Sequence, residues 1–278
     1  MFDNIPFYKM HGLGNDFVII DAREKLMPLQ SNQIRLIAHR KEGVGCDQVI
    51  ILEPSKEADL LMRIYNANGE EVGMCGNALR CVGALIMSHD QKEECQIELI
   101  TGIHHVSYSD DQLIKVNMGQ ARFGWQDIPL SHEMNTMPLD LQVDQFEKPY
   151  AISMGNPHLV FWVEDANQIN LTDLGEKLEH HDYFPEGINI EIAQILDQHT
   201  ILMRVWERGV GITDACGSGA CAVAMASYKM GKTKNDVIVY MQGGNLKIEI
   251  DETDTIFMSG PATLTFCGTI ILDPQTEQ

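Results

Sequence analysis

The chain has 278 residues, 44% of them hydrophobic, which is enough to bury a substantial core and length for about two domains. Its 20 Lys and Arg against 40 Asp and Glu give a net charge of −20, a surface that repels phosphate backbones and anionic lipid and so disfavours nucleic-acid or membrane partners. No run approaches 18 consecutive apolar residues, and the Met1–Met10 stretch lacks the basic region and apolar core of a secretory signal. A cytoplasmic protein is expected, and its seven cysteines are then expected as thiols.

In chain order, strands are expected at 17–21, 49–52, 60–65, 97–100, 113–118, 151–154, 159–163, 201–206, 236–241, 246–250 and 263–272, all rich in Ile, Val and Leu. Helices are expected at 32–39, 78–87, 171–178 and 219–230. The stretch from Arg122 to Pro149 is rich in prolines and turn residues and reads as a crossover. Strands dominate and do not alternate regularly with helices, which argues for α+β and against a doubly wound sheet.

Shifting the chain by 141 residues aligns it with itself. Leu61-Met62-Arg63-Ile64-Tyr65 falls on Leu202-Met203-Arg204-Val205-Trp206, and Cys75-Gly76 falls on Cys216-Gly217. Gly14-Asn15 falls on Gly155-Asn156, and Gln48 on Asn189, each of the latter opening an apolar alternating run. Four ungapped matches in one register predict a duplicated domain: two pseudo-symmetric halves, each a strand-rich sheet or barrel around a central helix. The expected division is 1–120, with the last strand 264–278 returning to it, and 121–263.

The duplicated cysteines carry the chemistry. Met74-Cys75-Gly76-Asn77-Ala78 and Ala215-Cys216-Gly217-Ser218-Gly219 each place a Cys before Gly, a small polar capping residue (Asn77, Ser218) and an apolar run, the pattern of a helix N-terminus. Free N–H groups and the helix dipole there favour an anion, and the same field is expected to lower a thiol pKa. Two thiols facing one carbon could invert a stereocentre, one removing a proton and the other delivering one to the opposite face. A small Cys beside Gly is equally a packing residue, and it is the duplication that favours reactivity. Spacings of C-x5-C and C-x4-C suit no tetrahedral zinc site, and Cys46, Cys81, Cys95, Cys221 and Cys267 read as structural. Gly12-Leu13-Gly14-Asn15-Asp16-Phe17 lacks the third glycine of a dinucleotide fingerprint, and the adjacent pairs His104-His105 and His180-His181 read as surface polar residues.

Several long strings resemble the diaminopimelate epimerase family. They are Lys9-Met10-His11-Gly12-Leu13-Gly14-Asn15-Asp16-Phe17, Gly43-Val44-Gly45-Cys46-Asp47-Gln48, Tyr65-Asn66-Ala67-Asn68-Gly69, Met74-Cys75-Gly76-Asn77 and Gly155-Asn156-Pro157-His158. Phe184-Pro185-Glu186-Gly187-Ile188-Asn189, Glu207-Arg208-Gly209-Val210-Gly211 and Ala215-Cys216-Gly217-Ser218-Gly219-Ala220-Cys221 complete them. The resemblance implies an isomerase that uses no cofactor and no metal, with two pseudo-symmetric domains and a cleft between them, converting LL-2,6-diaminopimelate to the meso form, a precursor of lysine and peptidoglycan. It implies Cys75 and Cys216 as acid/base thiols, and Gly76, Asn77, Gly217 and Ser218 around the reacting carboxylate. Asn15, Gln48, Asn66, Asn156, Asn189 and Arg208 would bind the ammonium groups and distal carboxylate. Glu207 would do so as well, and with His158 would tune the thiols. A homodimer is also implied.

Asn and Gln both donate and accept, and Arg208 offers a planar fork for a carboxylate, so this set suits a zwitterion. Taken singly, each Asn is also a turn residue and His158 a core histidine. The sequence departs from the family's usual residues at Ala78 and Ser218, at the apolar Ile212, and at Thr101-Gly102 followed by His104-His105. These departures put loop detail and fine selectivity in question. Two other readings stay open at this point: a racemase of another amino acid such as histidine, and a non-catalytic amino-acid-binding or redox-sensing protein.

Overall fold

The computed structural model describes residues 3–143 and 146–272. The chain divides into two compact units. One runs to Val116 and resumes at Gly260; the other takes Asn117–Ser259.

The first unit begins with β1 (Asp3–Gly12) and β2 (Asn15–Asp21), an antiparallel pair turned at Leu13-Gly14. After α1 (Ser31–Ala38), β3 (Gln48–Glu53) returns parallel to β2, with Phe17 opposite Gln48. The sequence Val49-Ile50-Ile51-Leu52 is buried on both faces, as a central strand must be. Next come β4 (Leu60–Asn66) and the short β5 (Glu71–Val72). They lead into α2 (Gly76–Asp90), whose C-terminus is closed by Gln91 in the left-handed region at φ 56°. β6 (Glu94–Leu99), β7 (Gly102–Tyr108) and β8 (Ile114–Gln120) form a meander, and β17 (Thr263–Leu272) comes back to pair with β1.

The second unit repeats this order. β9 (Tyr150–Ser153) and β10 (Pro157–Trp162) are antiparallel, α3 (Leu171–Leu178) follows, and β11 (Asn189–Asp197) lies parallel to β10 with His158 opposite Asn189. Then come β12 (Thr200–Glu207), β13 (Gly211–Thr213), α4 (Gly217–Lys229), β14 (Asp236–Met241), β15 (Gly244–Ile250) and β16 (Thr255–Gly260). The repeat holds residue for residue: the pair Phe17–Gln48 moved by 141 is His158–Asn189. Beyond the central helices the shift becomes 142, since 94 + 142 = 236 and 102 + 142 = 244 open the matching strands. One residue is therefore gained between the central helix and the next strand, and the parallel pairing keeps its register: Leu60 faces Ile97 in the first unit, and the matching Ile201 faces Val239 in the second.

Two expectations change. The central helices begin two residues earlier than the periodicity places them, so Cys75 and Cys216 themselves occupy the N-cap positions and Asn77 and Ser218 lie inside the first turn. Glycine and small polar residues hide a helix start from a reading based on apolar spacing. The strand expected at 97–100 ends at Leu99, and Ile100 is exposed in the turn. His104-His105 lie in β7, where successive side chains take opposite faces of the sheet, and His105 pairs with Glu94 at 3.0 Å.

Candidate functional site

In the first unit, Cys75 caps α2 and its Sγ lies 3.8 Å from Asn15 Oδ1, at the start of β2. Asn77 Nδ2 donates to the same oxygen at 3.2 Å. Asn15 can receive both because its own Nδ2 donates to Asp47 Oδ2 at 3.0 Å, and an ionised carboxylate accepts only. Asp47 is held in turn by Arg40 at 2.7 Å, and Arg40 and Lys9 both grip Asp16. Burial pushes the Asp16 carboxyl up, but Arg40 and Lys9 outweigh it and hold the group well below the usual carboxylate range. Gln48 and Asn66 stand opposite each other on β3 and β4, with Gln48 Nε2 donating to Asn66 Oδ1 at 2.9 Å. Gln48 Oε1 is buried with no partner among the described residues, an acceptor open to a ligand. Gly76 is the first residue of α2.

In the second unit, Cys216 caps α4, followed by Gly217 and Ser218. Ser218 Oγ lies 3.6 Å from Cys216 Sγ and receives Asn156 Nδ2 at 3.2 Å. Asn156 Oδ1 faces His158 Nε2 at 3.0 Å, and His158 Nδ1 faces Glu191 at 2.6 Å. Glu207 accepts a hydrogen bond from Thr213, and the Cys216 thiol and the Glu207 carboxyl influence each other's proton affinity. Asn189 joins three segments, donating to the Pro157 carbonyl at 2.7 Å and accepting the Arg208 N–H at 2.9 Å. Arg208 Nη1 is aimed by the Glu186 carbonyl at 2.9 Å.

The expected drop in thiol pKa does not occur at Cys216. Burial raises it well above the ordinary thiol value, and the Glu207 and Glu191 carboxyls add to this. The Ser218 hydroxyl and Gly219 N–H at the helix terminus act in the other direction and are outweighed. Burial also raises Glu207, against Thr213, Cys216 and His158. A carboxyl with raised affinity for protons, near enough to a thiol to shift it, is suited to take the thiol proton.

In the first unit Cys75, Asn15 and Asn77 are joined and Gln48 and Asn66 form a separate pair; in the second, Cys216, Ser218, Asn156 and His158 are joined and Asn189 and Arg208 form a separate group, while Gly76 and Gly217 open the helices. The supporting residues Asp47, Arg40 and Lys9 have no counterpart in the repeat, although Asp47 adjoins Gln48 and Lys9 opens the stretch Lys9–Phe17. The repeat does not mark Glu191 either. Its signal is a lone acid in the apolar run Asn189-Ile190-Glu191-Ile192-Ala193, in a strand buried on both faces.

A family model described as diaminopimelate epimerase matches residues 7–124 and 150–265. The chain belongs to the diaminopimelate epimerase family. A diaminopimelate epimerase of Rhodospirillum centenum is 45% identical over 264 residues, covering 94% of this chain and 91% of that protein. Another, of Erythrobacter litoralis, is 46% identical over 266 residues, covering 95% and 97%. Among solved structures, a hydroxyproline epimerase of Agrobacterium vitis superposes with a TM-score of 0.71 at 14% identity, over 99% of this chain and 94% of its own. A PhzF-family phenazine biosynthesis protein of Bacillus anthracis gives 0.71 at 16% identity, over 97% and 100%. These two share the fold. The curated family relatives do not favour the readings as another racemase or a binding protein.

Proposed function

We propose that this isomerase interconverts LL-2,6-diaminopimelate and meso-2,6-diaminopimelate by a two-base mechanism in which Cys75 and Cys216 serve one α-carbon from opposite faces. The observation that carries the reading is the duplicated thiol: each unit caps its central helix with a cysteine whose sulfur contacts a polar side chain, Asn15 in one and Ser218 in the other. Family membership supplies the substrate.

In the direction in which Cys216 is the base, its proton passes to Glu207 and the thiolate sulfur takes the α-hydrogen. The electron pair left on carbon spreads into the α-carboxylate, held by N–H groups of Gly76, Asn77, Gly217 and Ser218 at the helix starts, where the dipoles favour negative charge. Cys75 then gives its S–H proton to the opposite face. The reverse direction exchanges the roles. Gln48 Oε1 is suited to an ammonium group, and Arg208 to the distal carboxylate. The resemblance also carries a cytoplasmic homodimer, which sedimentation velocity at micromolar concentration tests in its oligomeric part.

Incubation with LL-diaminopimelate followed by chiral chromatography tests the substrate. The proposal expects the meso form at equilibrium with the LL form and no racemisation of L-histidine. Racemisation of histidine with diaminopimelate unchanged would contradict it.

A further inference from the structure

The two units differ most where their alignment is closest. His158 and Glu191 stand where the first unit has Phe17 and Ile50, since 17 + 141 = 158 and 50 + 141 = 191, and all four residues are fully buried. One unit thus replaces an apolar pair by two titratable groups 2.6 Å apart with no access to water. Such a pair is costly unless it has a use and a fixed proton count.

The proton count follows from the neighbours. Asn156 donates its Nδ2 hydrogen to Ser218, so Oδ1 faces His158, and Nε2 of the imidazole must carry a hydrogen to meet it. The remaining contact, between Nδ1 and Glu191, holds one shared proton. Whether that proton sits on nitrogen or oxygen, the pair has no net charge.

The hydrogen bonds then run in one sense. His158 donates to Asn156 and Asn156 to Ser218, which leaves the Ser218 hydroxyl hydrogen able to turn toward Cys216 Sγ, 3.6 Å away, as the sulfur becomes a thiolate. In the first unit the sense is opposite: Cys75 donates to Asn15, and Asn15 donates to Asp47. The donors point toward sulfur in one unit and away from it in the other. The residues behind the paired asparagines set this, a proton-sharing couple in one case and a carboxylate in the other. Gly219 adds an independent sign that the acid is built in against the thiol. A Cβ there would lie 2.8 Å from Glu191 Oε1 and 3.4 Å from Cys216 Sγ, whereas the matching residue of the first unit is Ala78.

We propose that Glu191 is a positioning residue for Cys216, acting through His158, Asn156 and Ser218: by sharing its proton with His158 it strengthens the line of donors aimed at the sulfur as the thiolate forms. When Cys216 loses its proton to Glu207, the shared proton moves onto His158 Nδ1, and the Nε2–H becomes a charged donor. No proton enters or leaves the pair, which reverts when Cys216 is reprotonated. Cys75 instead donates to Asn15, which is turned toward the Asp47 carboxylate. The assignment of a catalytic step to Cys216 rests on the proposed function above; the proton sharing does not.

The test compares E191Q, which keeps shape but has no acid proton, with the double variant H158F/E191I, which copies the Phe17–Ile50 pair of the first unit. Nitrogen-15 NMR of labelled histidine in the wild-type protein should show His158 with Nε2 protonated and a strongly hydrogen-bonded Nδ1 proton, which disappears in E191Q. In both variants kcat should fall by about tenfold or more while KM stays within about twofold. An unprotonated Nε2 in the wild type, or wild-type kcat in either folded variant, overturns the proposal. If E191Q fails to fold, the double variant still decides, because its apolar pair is already accommodated in the first unit. If the wild type does not turn over diaminopimelate, the function fails while the NMR result still judges the proton sharing.

Discussion

Single residues show how burial decides reactivity. Cys46, Cys81 and Cys95 are buried, and burial pushes each thiol up to about 12. At pH 8 they carry almost no thiolate, so peptide-resolved alkylation of the native protein with iodoacetamide should leave these three unmodified until the chain unfolds. Rapid native labelling of any of them would show that the site opens locally. Gly219 makes a second residue-scale prediction. His158 pins Glu191, so the carboxylate cannot yield to a new methyl, and Gly219→Ala should destabilise the protein by about 1–3 kcal/mol. The loss should shrink in the H158F/E191I background, where Ile replaces the acid, as Ile50 and Ala78 occupy the matching positions of the first unit. A penalty equal in both backgrounds, measured by urea unfolding, would place the clash elsewhere. The cysteines and their neighbours were legible in the sequence because rare residues recur at one offset. Glu191 was not, because the repeat points to what is shared, and this acid matters where the halves differ.

At the scale of elements, the clusters are held by side chains that tie strand starts together. Asn189 bonds the carbonyl at the start of β10 and the N–H of Arg208 after β12. It is 4% exposed, so Asn189→Ala removes a buried bond to the Pro157 carbonyl and a part-buried one from the Arg208 N–H and should cost about 1–3 kcal/mol. An unchanged thermal midpoint would contradict this. In the first unit, Asp16 joins β1 to the segment before β3 through Lys9 and Arg40. Its folded pKa lies below the ordinary 3.8, so its contribution is complete above the unfolded value and is lost as pH falls from about 4 toward the folded one. Asp16→Asn should therefore lower stability at pH 7 and flatten its fall between pH 5 and 3, as followed by urea midpoints. A fall as steep as in the wild type would show that other carboxyls govern acid sensitivity. Elements with continuous apolar runs were legible, as β2, β3, β12 and β14 are. β1 was not, since Pro6, Lys9 and His11 interrupt its pattern, and Lys9 is buried only because Asp16 and the Gly45 carbonyl receive its ammonium. β7 was masked in the same way by two adjacent histidines.

At the scale of the whole molecule, the duplication explains how one chain obtains two helix-capping cysteines from one structural plan, the pair that the proposed reaction uses as acid and base. Each unit supplies a capped helix, a cysteine and an asparagine at matched positions, and the later changes give the two thiols different surroundings. Asp47 stands behind Asn15, while His158 and Glu191 stand behind Asn156. A reaction that removes a proton on one side and adds one on the other gains from that difference, since one sulfur must be ready to receive as the other gives. The most direct measurement of the central claim is α-hydrogen exchange in D2O. Wild-type protein, Cys75→Ala and Cys216→Ala are each incubated, reduced, with LL-diaminopimelate, and deuterium and configuration are followed by NMR. The account predicts deuterium at the inverted α-carbon of the meso product with the wild type and no inversion with either variant. Inversion persisting in one of the alanine variants would contradict a mechanism that needs both thiols.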